Sequence, residues 1–226
     1  MIELAGIRKG ERVLEIGTGT GALTRELVRL TPSFEGYELD RANYESLKGE
    51  LGGRVLLHNQ DAFESAPEFD VLMSSLPYSE SSNFVEWLAL RRYDRAVVVL
   101  QRDFAEKLVA PPGSPRYRAI SVISQASSKA KIVSDVPRLS FDPPPRVNSC
   151  IVSMRWERTL SEEQITTIKR IFSQKRRTVK AALRSLGLEA PPSAPEERNL
   201  LLQCRVGALR PESVLAMASV LERKAK

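Results

Sequence analysis

Apolar residues in the first hundred positions follow two different spacings. Short apolar runs rich in β-branched residues predict strands over residues 12–16, 34–38, 54–57, 69–73 and 95–100. Between them, apolar residues at helical spacing predict helices over residues 22–30, 41–51 and 81–90. Strand–helix repeats of this length favour right-handed crossovers, so we expect an α/β domain with a mostly parallel sheet and helices on both faces.

The pattern changes after a proline-rich loop at residues 111–115. Two further strands are predicted over residues 129–136 and 149–156, and the segment between them leaves no room for a crossover helix. Strands joined in this way pair antiparallel, so we expect both of them at one edge of the sheet.

Only helical patterns follow residue 157. Ser161, with Gln164 three positions later, is a capping-box pattern for one helix, and further helices are predicted over residues 175–186 and 212–223. Residues 191–195 include three prolines and predict an exposed connector. The sequence thus predicts an α/β domain over residues 1–157 and a small helical domain over residues 158–226.

Composition excludes several classes of protein. Of 226 residues, 42% are hydrophobic and 27% are charged, as in ordinary folded domains, and no apolar run reaches the roughly 18–20 residues of a membrane span. The N-terminus shows neither the basic start nor the apolar stretch of a signal peptide. Two cysteines and one histidine are too few for a disulfide framework or a multi-histidine metal centre. We therefore expect a cytoplasmic protein with no membrane anchor and no bound metal.

The net charge of +6 is distributed unevenly. Residues 1–154 carry 19 Lys or Arg and 20 Asp or Glu, whereas residues 155–226 carry 15 and 8, so the excess lies in the last third of the chain. Arginine, with 24 residues against 10 lysines, suits phosphate contacts because its planar guanidinium can bind two oxygens at once. The pattern favours a polyanionic partner such as nucleic acid, although a merely solvated helix surface would give the same charge distribution.

Polar groups follow three successive predicted strands. Glu15 and a glycine-rich turn end the first strand, Glu38 ends the second, and Asp61 comes just after the third. Glycines let the backbone approach a ligand closely, and an acid at the second strand end can accept hydrogen bonds from both ribose hydroxyls. Asp61 is placed to accept a hydrogen bond from an adenine amino group, although either carboxylate taken singly would be interpreted as an ordinary surface acid.

Together, these groups predict an adenosine-binding crevice, and their order favours S-adenosylmethionine over NAD. The residues predicted to bind this cofactor are Glu15, Gly17, Thr18, Gly19, Gly21, Glu38, Leu39, Asp61, Ala62 and Ser75. Two roles are open for Glu15, which would either face the amino-acid end of the cofactor or support the glycine-rich turn.

Four segments carry a resemblance to a known family. They are Ser74-Ser75-Leu76-Pro77-Tyr78 after the fourth strand, residues 99–117, the Phe-x-Pro-Pro-Pro-x-Val-x-Ser pattern that begins at Phe141, and residues 172–178. In these segments the chain resembles the ribosomal RNA adenine dimethyltransferases and the related erythromycin-resistance RNA methylases. The resemblance extends from about residue 12 to the C-terminus. It implies a Rossmann-like class I methyltransferase fold that acts on the exocyclic amine of adenine in ribosomal RNA (rRNA).

The resemblance also implies roles for the residues after the fourth strand. In similar enzymes an asparagine side chain and the next backbone carbonyl accept hydrogen bonds from the adenine amine, and the matching positions here are Ser75 and Leu76. Tyr78 and Phe141 would stack on the two faces of an extruded base, and Pro77 would fix the turn that presents Leu76 and Tyr78. Aromatic core packing is the alternative for both rings.

Two departures from the family pattern concern the reactive end of the site. Ser75 replaces the family's asparagine, and a lost or misaligned acceptor typically costs about 1–3 kcal/mol, or roughly tenfold to hundredfold in rate. The chain also starts eleven residues before the first predicted strand, without the family's Gln-x-Phe-Leu segment that covers the methionine part of the cofactor. We expect weaker cofactor binding and slower or single methylation from these changes.

The basic helical segment fits an RNA partner, because residues 169–188 contain seven Lys or Arg and no acid. We predict contacts with rRNA, within a small ribosomal subunit precursor, from Arg146, Lys175, Arg176, Arg177, Lys180 and Arg184. Relatives act as monomers, so a monomer is expected.

The leading interpretation is S-adenosylmethionine-dependent methylation of adenine in small-subunit rRNA, and the resemblance implies dimethylation of two adjacent adenosines. A catalytically weak or inactive paralogue that binds rRNA as a ribosome-assembly factor is the alternative. A DNA adenine methyltransferase fits less well, since the proline-rich pattern at Phe141 is foreign to that class.

Overall fold

The structure is a computed structural model that describes residues 1–141, 143–188 and 195–222. Most of the connector predicted over residues 191–195, and the last residue of the helix predicted over 212–223, lie outside the described residues. Within those ranges, no helix has the length and apolar character needed to cross a membrane.

Seven strands of the described chain form one sheet. They are β1 (Val13–Ile16), β2 (Phe34–Tyr37), β3 (Leu56–His58), β4 (Val71–Ser74), β5 (Arg95–Gln101), β6 (Ser128–Val136) and β7 (Ser149–Trp156). Their order is β3-β2-β1-β4-β5-β7-β6; strands β1 to β5 are parallel, and β7 pairs antiparallel with both β5 and β6. The predicted mostly parallel sheet with two antiparallel strands at one edge is confirmed.

Helices cover the sheet and continue to the end of the described chain. They are α1 (Ile2–Ala5), α2 (Thr24–Leu30), α3 (Arg41–Leu51), α4 (Ser81–Ala89), α5 (Arg102–Leu108), α6 (Ala119–Ser127), α7 (Glu162–Phe172), α8 (Val179–Leu186), α9 (Pro195–Gln203) and α10 (Pro211–Glu222). The helices predicted between the first five strands are confirmed, and so is the capping box of Ser161 and Gln164 at the start of α7. Helices α1, α5, α6 and α9 have no counterpart in the sequence analysis.

Helix α6 shows why a pattern search misses some helices. Its serines Ser121 and Ser124 are fully buried together with Val122 and Ile123, so α6 has no polar face. A helix that is buried on all sides lacks the alternation of polar and apolar positions that marks a surface helix. The nine residues of α6 therefore give no helical signal in the sequence.

The helix predicted from residue 175 begins only at Val179, so this part of the prediction is wrong. Thr178 caps α8 with its side chain. The carbonyls of Lys175 and Arg177 accept hydrogen bonds at 3.0 Å from amides of the 206–207 segment, not from the next helical turn. The basic residues before Thr178 consequently lie in a turn that is held by a distant part of the chain.

The hydrophobic core continues from the sheet into the C-terminal helices. Helices α7 and α10 pack on α6 and on each other. Tyr117, which is fully buried, donates its hydroxyl to the carbonyl of Leu209 at 3.0 Å and meets the ring of Phe172 edge-on, with 5.4 Å between centroids. The division into two domains at residue 157 stays a prediction, and the helices on its C-terminal side share a core with the helices before it.

Candidate active site

The turn from β1 to α2 brings the backbone close to β2. Gly17, Gly19 and Gly21 have φ values of 75°, 54° and 84°, in the left-handed region that other residues rarely adopt. A Cβ atom at Gly21 would also lie 2.4 Å from Cδ1 of Leu47. The turn is joined to β2 through the Gly17 amide, which donates to the carbonyl of Tyr37 at 2.9 Å. Glycine is therefore favoured at these three positions by backbone conformation, and at Gly21 a side chain would also displace the end of Leu47.

Glu38 follows β2, and backbone amides hold its carboxylate. Oε2 accepts a hydrogen bond from the amide of Gly19 at 2.6 Å, and Oε1 accepts one from the amide of Asp40 at 2.8 Å. The side chain of Asn59 donates to the Glu38 carbonyl at 2.8 Å. Only 8% of Glu38 is exposed. Because each carboxylate oxygen can accept two hydrogen bonds, Glu38 keeps acceptor capacity for a ligand.

Glu15 lies in β1 and is buried, with 2% of its surface exposed. Its Oε2 accepts a hydrogen bond from the hydroxyl of Thr24 at 2.8 Å. Burial raises the pKa of Glu15 to about 8; the Thr24 hydroxyl opposes this rise, and the nearby Glu38 carboxylate adds to it. At neutral pH Glu15 is therefore mostly protonated.

A cavity of about 370 Å³ lies at the carboxyl ends of β1, β2 and β3. Asp61 is fixed at its rim, because Oδ1 accepts a hydrogen bond from the amide of Phe63 at 2.8 Å. The structure brings seven predicted residues to this cavity, namely Gly17, Glu38, Leu39, Asp61, Ala62, Leu76 and Pro77. The predicted cofactor crevice and the loop after the fourth strand therefore share one space.

Seven other predicted residues are not part of the cavity lining: Glu15, Thr18, Gly19, Gly21, Ser75, Tyr78 and Phe141. The lining also includes residues that the sequence analysis missed, namely Ile16, Tyr37, Gln60, Phe63, Ser79 and Glu80. Gln60 and Phe63 flank the predicted Asp61 and Ala62 in sequence, so a wider window around Asp61 would have included them.

The end of β4 is hydrogen-bonded to β1 through Ser74, and the loop after it is exposed to solvent at the next residue, Ser75. Ser74 is buried, and its hydroxyl donates to the carbonyl of Ile16 at 2.7 Å. The side chain of Leu76 packs over Gly17, with Cδ2 3.4 Å from the place where a Cβ atom would lie. Ser75 is exposed, and within the described part of the chain its hydroxyl has no hydrogen-bond partner. Within the described residues, the Ser75 hydroxyl is therefore available to accept a hydrogen bond from a ligand.

Tyr78 and Phe141 are both half-buried, unlike the fully packed rings of the core. The hydroxyl of Tyr78 forms a short hydrogen bond with the hydroxyl of Ser149, the first residue of β7. The carbonyl of Tyr78 accepts a hydrogen bond from the Ser81 hydroxyl at 2.9 Å. Phe141 lies in the loop between β6 and β7, where its amide donates to the carbonyl of Arg138 at 3.2 Å.

The predicted RNA-binding residues fall into separate places. Arg176, Arg177, Lys180 and Arg184 line two depressions of about 650 and 410 Å³ that share Arg177. We call the surface formed by these four residues the basic surface. Arg146 lies elsewhere, exposed on the loop that carries Phe141.

Lys175 has a different environment from its basic neighbours. Its Nζ donates to the carbonyl of Tyr117 at 2.6 Å and to the carbonyls of Pro115 and Ser114 at 3.3 and 3.4 Å. Burial lowers the pKa of Lys175, and the nearby charges of Arg118 and Arg176 lower it further. The ammonium group is therefore used to hold the loop at residues 111–117.

Arg118, which was not predicted as an RNA-binding residue, lines the larger depression beside Arg176 and Arg177. Arg118 is distant in sequence from the basic helical segment, so a search for local charge runs cannot find it.

Comparison with known proteins identifies the family. The family model described as "Ribosomal RNA adenine dimethylase" matches residues 1–223. The chain belongs to the ribosomal RNA adenine dimethylase family. A relative from Thermococcus kodakarensis named "Probable ribosomal RNA small subunit methyltransferase A" is 34% identical, over 99% of this chain and 84% of its own.

Solved structures of similar proteins show the same fold. A dimethyladenosine transferase from Plasmodium falciparum is 26% identical, with a TM-score of 0.83 over 99% of this chain and 94% of its own. The 23S rRNA methyltransferase ErmE is 24% identical, with a TM-score of 0.69 over 97% of this chain and 94% of its own. The expected Rossmann-like methyltransferase fold is confirmed.

Membership in the rRNA adenine dimethylase family confirms the resemblance seen in the fourth-strand loop and in the proline-rich pattern at Phe141. The expected class of enzyme, an rRNA adenine methyltransferase, is confirmed with it. The roles of individual residues remain predictions.

Proposed function

We propose that this chain transfers methyl groups from S-adenosylmethionine to the exocyclic amine of adenine in small-subunit rRNA, and that two adjacent adenosines are dimethylated. The observation that supports this proposal is that Glu38, Asp61, Leu76 and Pro77 line the same cavity. Methyl transfer requires that the donor and the amine be held in line at short distance, so their two binding regions must share one space.

The crevice has the chemistry that S-adenosylmethionine requires. When bound, this cofactor supplies an electrophilic methyl group on a sulfonium. Glu38 would accept hydrogen bonds from the ribose hydroxyls, and Asp61 would accept one from the adenine amino group. Leu39 and Ala62, which line the same cavity, would contact the adenine ring.

The fourth-strand loop would activate the target amine. The lone pair of an adenine amine is delocalised into the ring, which makes the nitrogen a poor nucleophile. Acceptors at the Leu76 carbonyl and the Ser75 hydroxyl would favour a pyramidal nitrogen whose lone pair is available for attack. Tyr78 and Phe141 would hold the extruded base by stacking, with roughly 1–3 kcal/mol per base available from such contacts. Because Ser75 is exposed, the proton released from the nitrogen can pass to water.

The RNA would be held mainly by the basic surface. Its arginines and lysine would contact phosphates, and the resulting affinity would fall steeply with salt. Within the described chain, none of the four side chains forms an ion pair with an acidic residue. Arg146 would make a separate phosphate contact on the loop that carries Phe141.

Labelled cofactor offers a direct test. The protein is incubated with methyl-labelled S-adenosylmethionine and small ribosomal subunits that lack the modification, and the extracted RNA is digested to nucleosides. We expect label in N6,N6-dimethyladenosine, and no label with large subunits as the control substrate. Tight binding to small subunits without labelled nucleoside would contradict the proposal and support a non-catalytic assembly factor.

A further inference from the structure

The hydroxyl of Tyr78 is joined to a rigid part of the sheet. Its partner, Ser149, is 1% exposed and begins β7, where it pairs with Gln101 of β5 on one side and with Val136 of β6 on the other. The residue before Ser149 is fixed as well, because its carbonyl accepts a hydrogen bond from the amide of Arg102 at 2.8 Å. Ser149 is therefore held on both sides and cannot follow a moving loop.

Tyr78 is consequently held at both ends of its side chain. At the backbone, Pro77 precedes it and the Ser81 hydroxyl donates to its carbonyl at 2.9 Å. At the far end of the ring, the hydroxyl meets Ser149. Phe141 has no polar atom on its ring and lies in the β6–β7 loop, so it can have no equivalent anchor.

We propose that Ser149 is a positioning residue, which fixes the Tyr78 ring as the rigid face against which the target base stacks, while Phe141 is the adaptable face. This inference rests on the proposed function. A ring fixed in advance places the bound base, and hence its amine, at one distance from the methyl donor. Ser149 acts only through Tyr78 and does not contact substrate.

Kinetics of Ser149→Ala test the inference. We expect kcat to fall about threefold to tenfold, the range of one neutral hydrogen bond, with little change in KM for RNA, since RNA affinity comes mainly from phosphate contacts. Cofactor affinity should stay close to the wild type, and the melting temperature should fall by no more than the loss of one buried hydrogen bond causes. Ser153→Ala is the matched control, because Ser153 lies on the same strand, four residues along and away from Tyr78, and pairs with Val97.

A double-mutant cycle separates positioning from general structure. In a Tyr78→Phe background, Ser149→Ala should cause no further loss of kcat, because the hydroxyl that Ser149 holds is already gone. An equal loss in both backgrounds would overturn the inference, since Ser149 would then act by another route.

Ring dynamics give a readout that does not depend on catalysis. The chain has five tyrosines, so the Tyr78 signals of a carbon-13-tyrosine-labelled sample can be assigned by their loss in Tyr78→Phe. We expect a lower order parameter for the Tyr78 ring axis in Ser149→Ala than in the wild type or Ser153→Ala, because the hydroxyl lies on that axis and its bond to Ser149 restricts swinging of the axis. An unchanged order parameter would overturn the positioning role alone, whereas a wild-type protein that transfers no methyl group would overturn the proposed function.

Discussion

The two sides of the cavity are built in opposite ways. On the predicted cofactor side, backbone amides hold both oxygens of Glu38, and Glu15 is buried in β1. On the predicted target side, Ser75 and Pro77 are exposed, and a hydrogen bond to Ser149 joins the Tyr78 side chain to the sheet. A small ligand of constant shape can be met by a preorganised site, whereas a base that belongs to a large RNA needs an opening through which to enter.

Of the substitutions considered, removal of the Glu38 carboxylate should have the largest effect, and it should weaken cofactor binding. Glu38→Ala deletes the predicted ribose acceptor and releases the amides of Gly19 and Asp40, so we expect cofactor affinity to fall about hundredfold or more. RNA affinity should not change, because the basic surface shares no residue with the lining of this crevice. Calorimetric titration with S-adenosylmethionine measures the first effect. Glu45→Ala, an exposed acid on α3, is the control, and equal cofactor binding by Glu38→Ala and Glu45→Ala would refute the ribose role.

The protonation state of Glu15 predicts how stability depends on pH. Its pKa is about 8 in the folded chain and 4.5 as a reference, so the native state binds the proton more tightly than the unfolded state. Stability from this group is therefore fully present below pH 4.5, falls as pH rises towards 8, and levels off above that value. The loss is on the order of a few kcal/mol.

Glu15→Gln, which keeps the size and removes the titration, should flatten this profile. The measurement is the melting temperature of both proteins from pH 5 to pH 9. We expect the melting temperature of Glu15→Gln to rise relative to that of the wild type as pH increases. Parallel profiles would mean that Glu15 titrates near its ordinary value.

The open side of the cavity should respond to Ser75→Asn. An amide oxygen reaches further than a hydroxyl towards the predicted position of the target amine, so we expect methyl transfer to rise roughly tenfold with unchanged cofactor affinity. Single-turnover rates with saturating cofactor measure the effect, and Ser82→Asn, at an exposed position on α4, is the control. A lower rate in Ser75→Asn would show that the surrounding pocket has adapted to serine.

The smallest effect is expected at the basic surface, where RNA binding is predicted. Arg176→Glu with Arg177→Glu should weaken RNA binding about tenfold and flatten its salt dependence, since each lost phosphate contact removes roughly 0.7–0.9 from the log–log slope. Arg8→Glu with Lys9→Glu makes the same change of charge at two exposed residues outside the basic surface. If both pairs weaken binding equally, net charge rather than a defined surface attracts the RNA.

The sheet was predictable because its strands are short apolar runs separated by amphipathic helices. Strand β7, for example, was predicted with its observed limits. Helix α6 was not predictable, because its serines are buried beside apolar residues, so polar and apolar positions do not alternate with the period of a helix. The late start of α8 was equally hidden, because the 206–207 segment that holds the preceding turn lies far away in sequence.

The candidate site was predictable where one residue type at a strand end suffices, as for Glu38 and Asp61. Interactions that depend on tertiary contacts were not. In the sequence Lys175 is indistinguishable from its basic neighbours, and only the fold places its Nζ against the carbonyl of Tyr117. The hydrogen bond between Tyr78 and Ser149 joins residues 71 positions apart, so no local sequence pattern predicts it.

The contacts around the 111–117 loop should keep the two parts of the chain together after the backbone between β7 and α7 is cleaved. Gly113 donates its amide to the carbonyl of Gly207 at 2.8 Å, and Lys175 and the Tyr117 hydroxyl close the same junction. A single cut by a protease between β7 and α7 would thus leave two fragments that remain associated and melt as one unit. Separate expression of the C-terminal fragment would leave the counterpart of this junction missing, so co-expression of both pieces is the route to a folded complex.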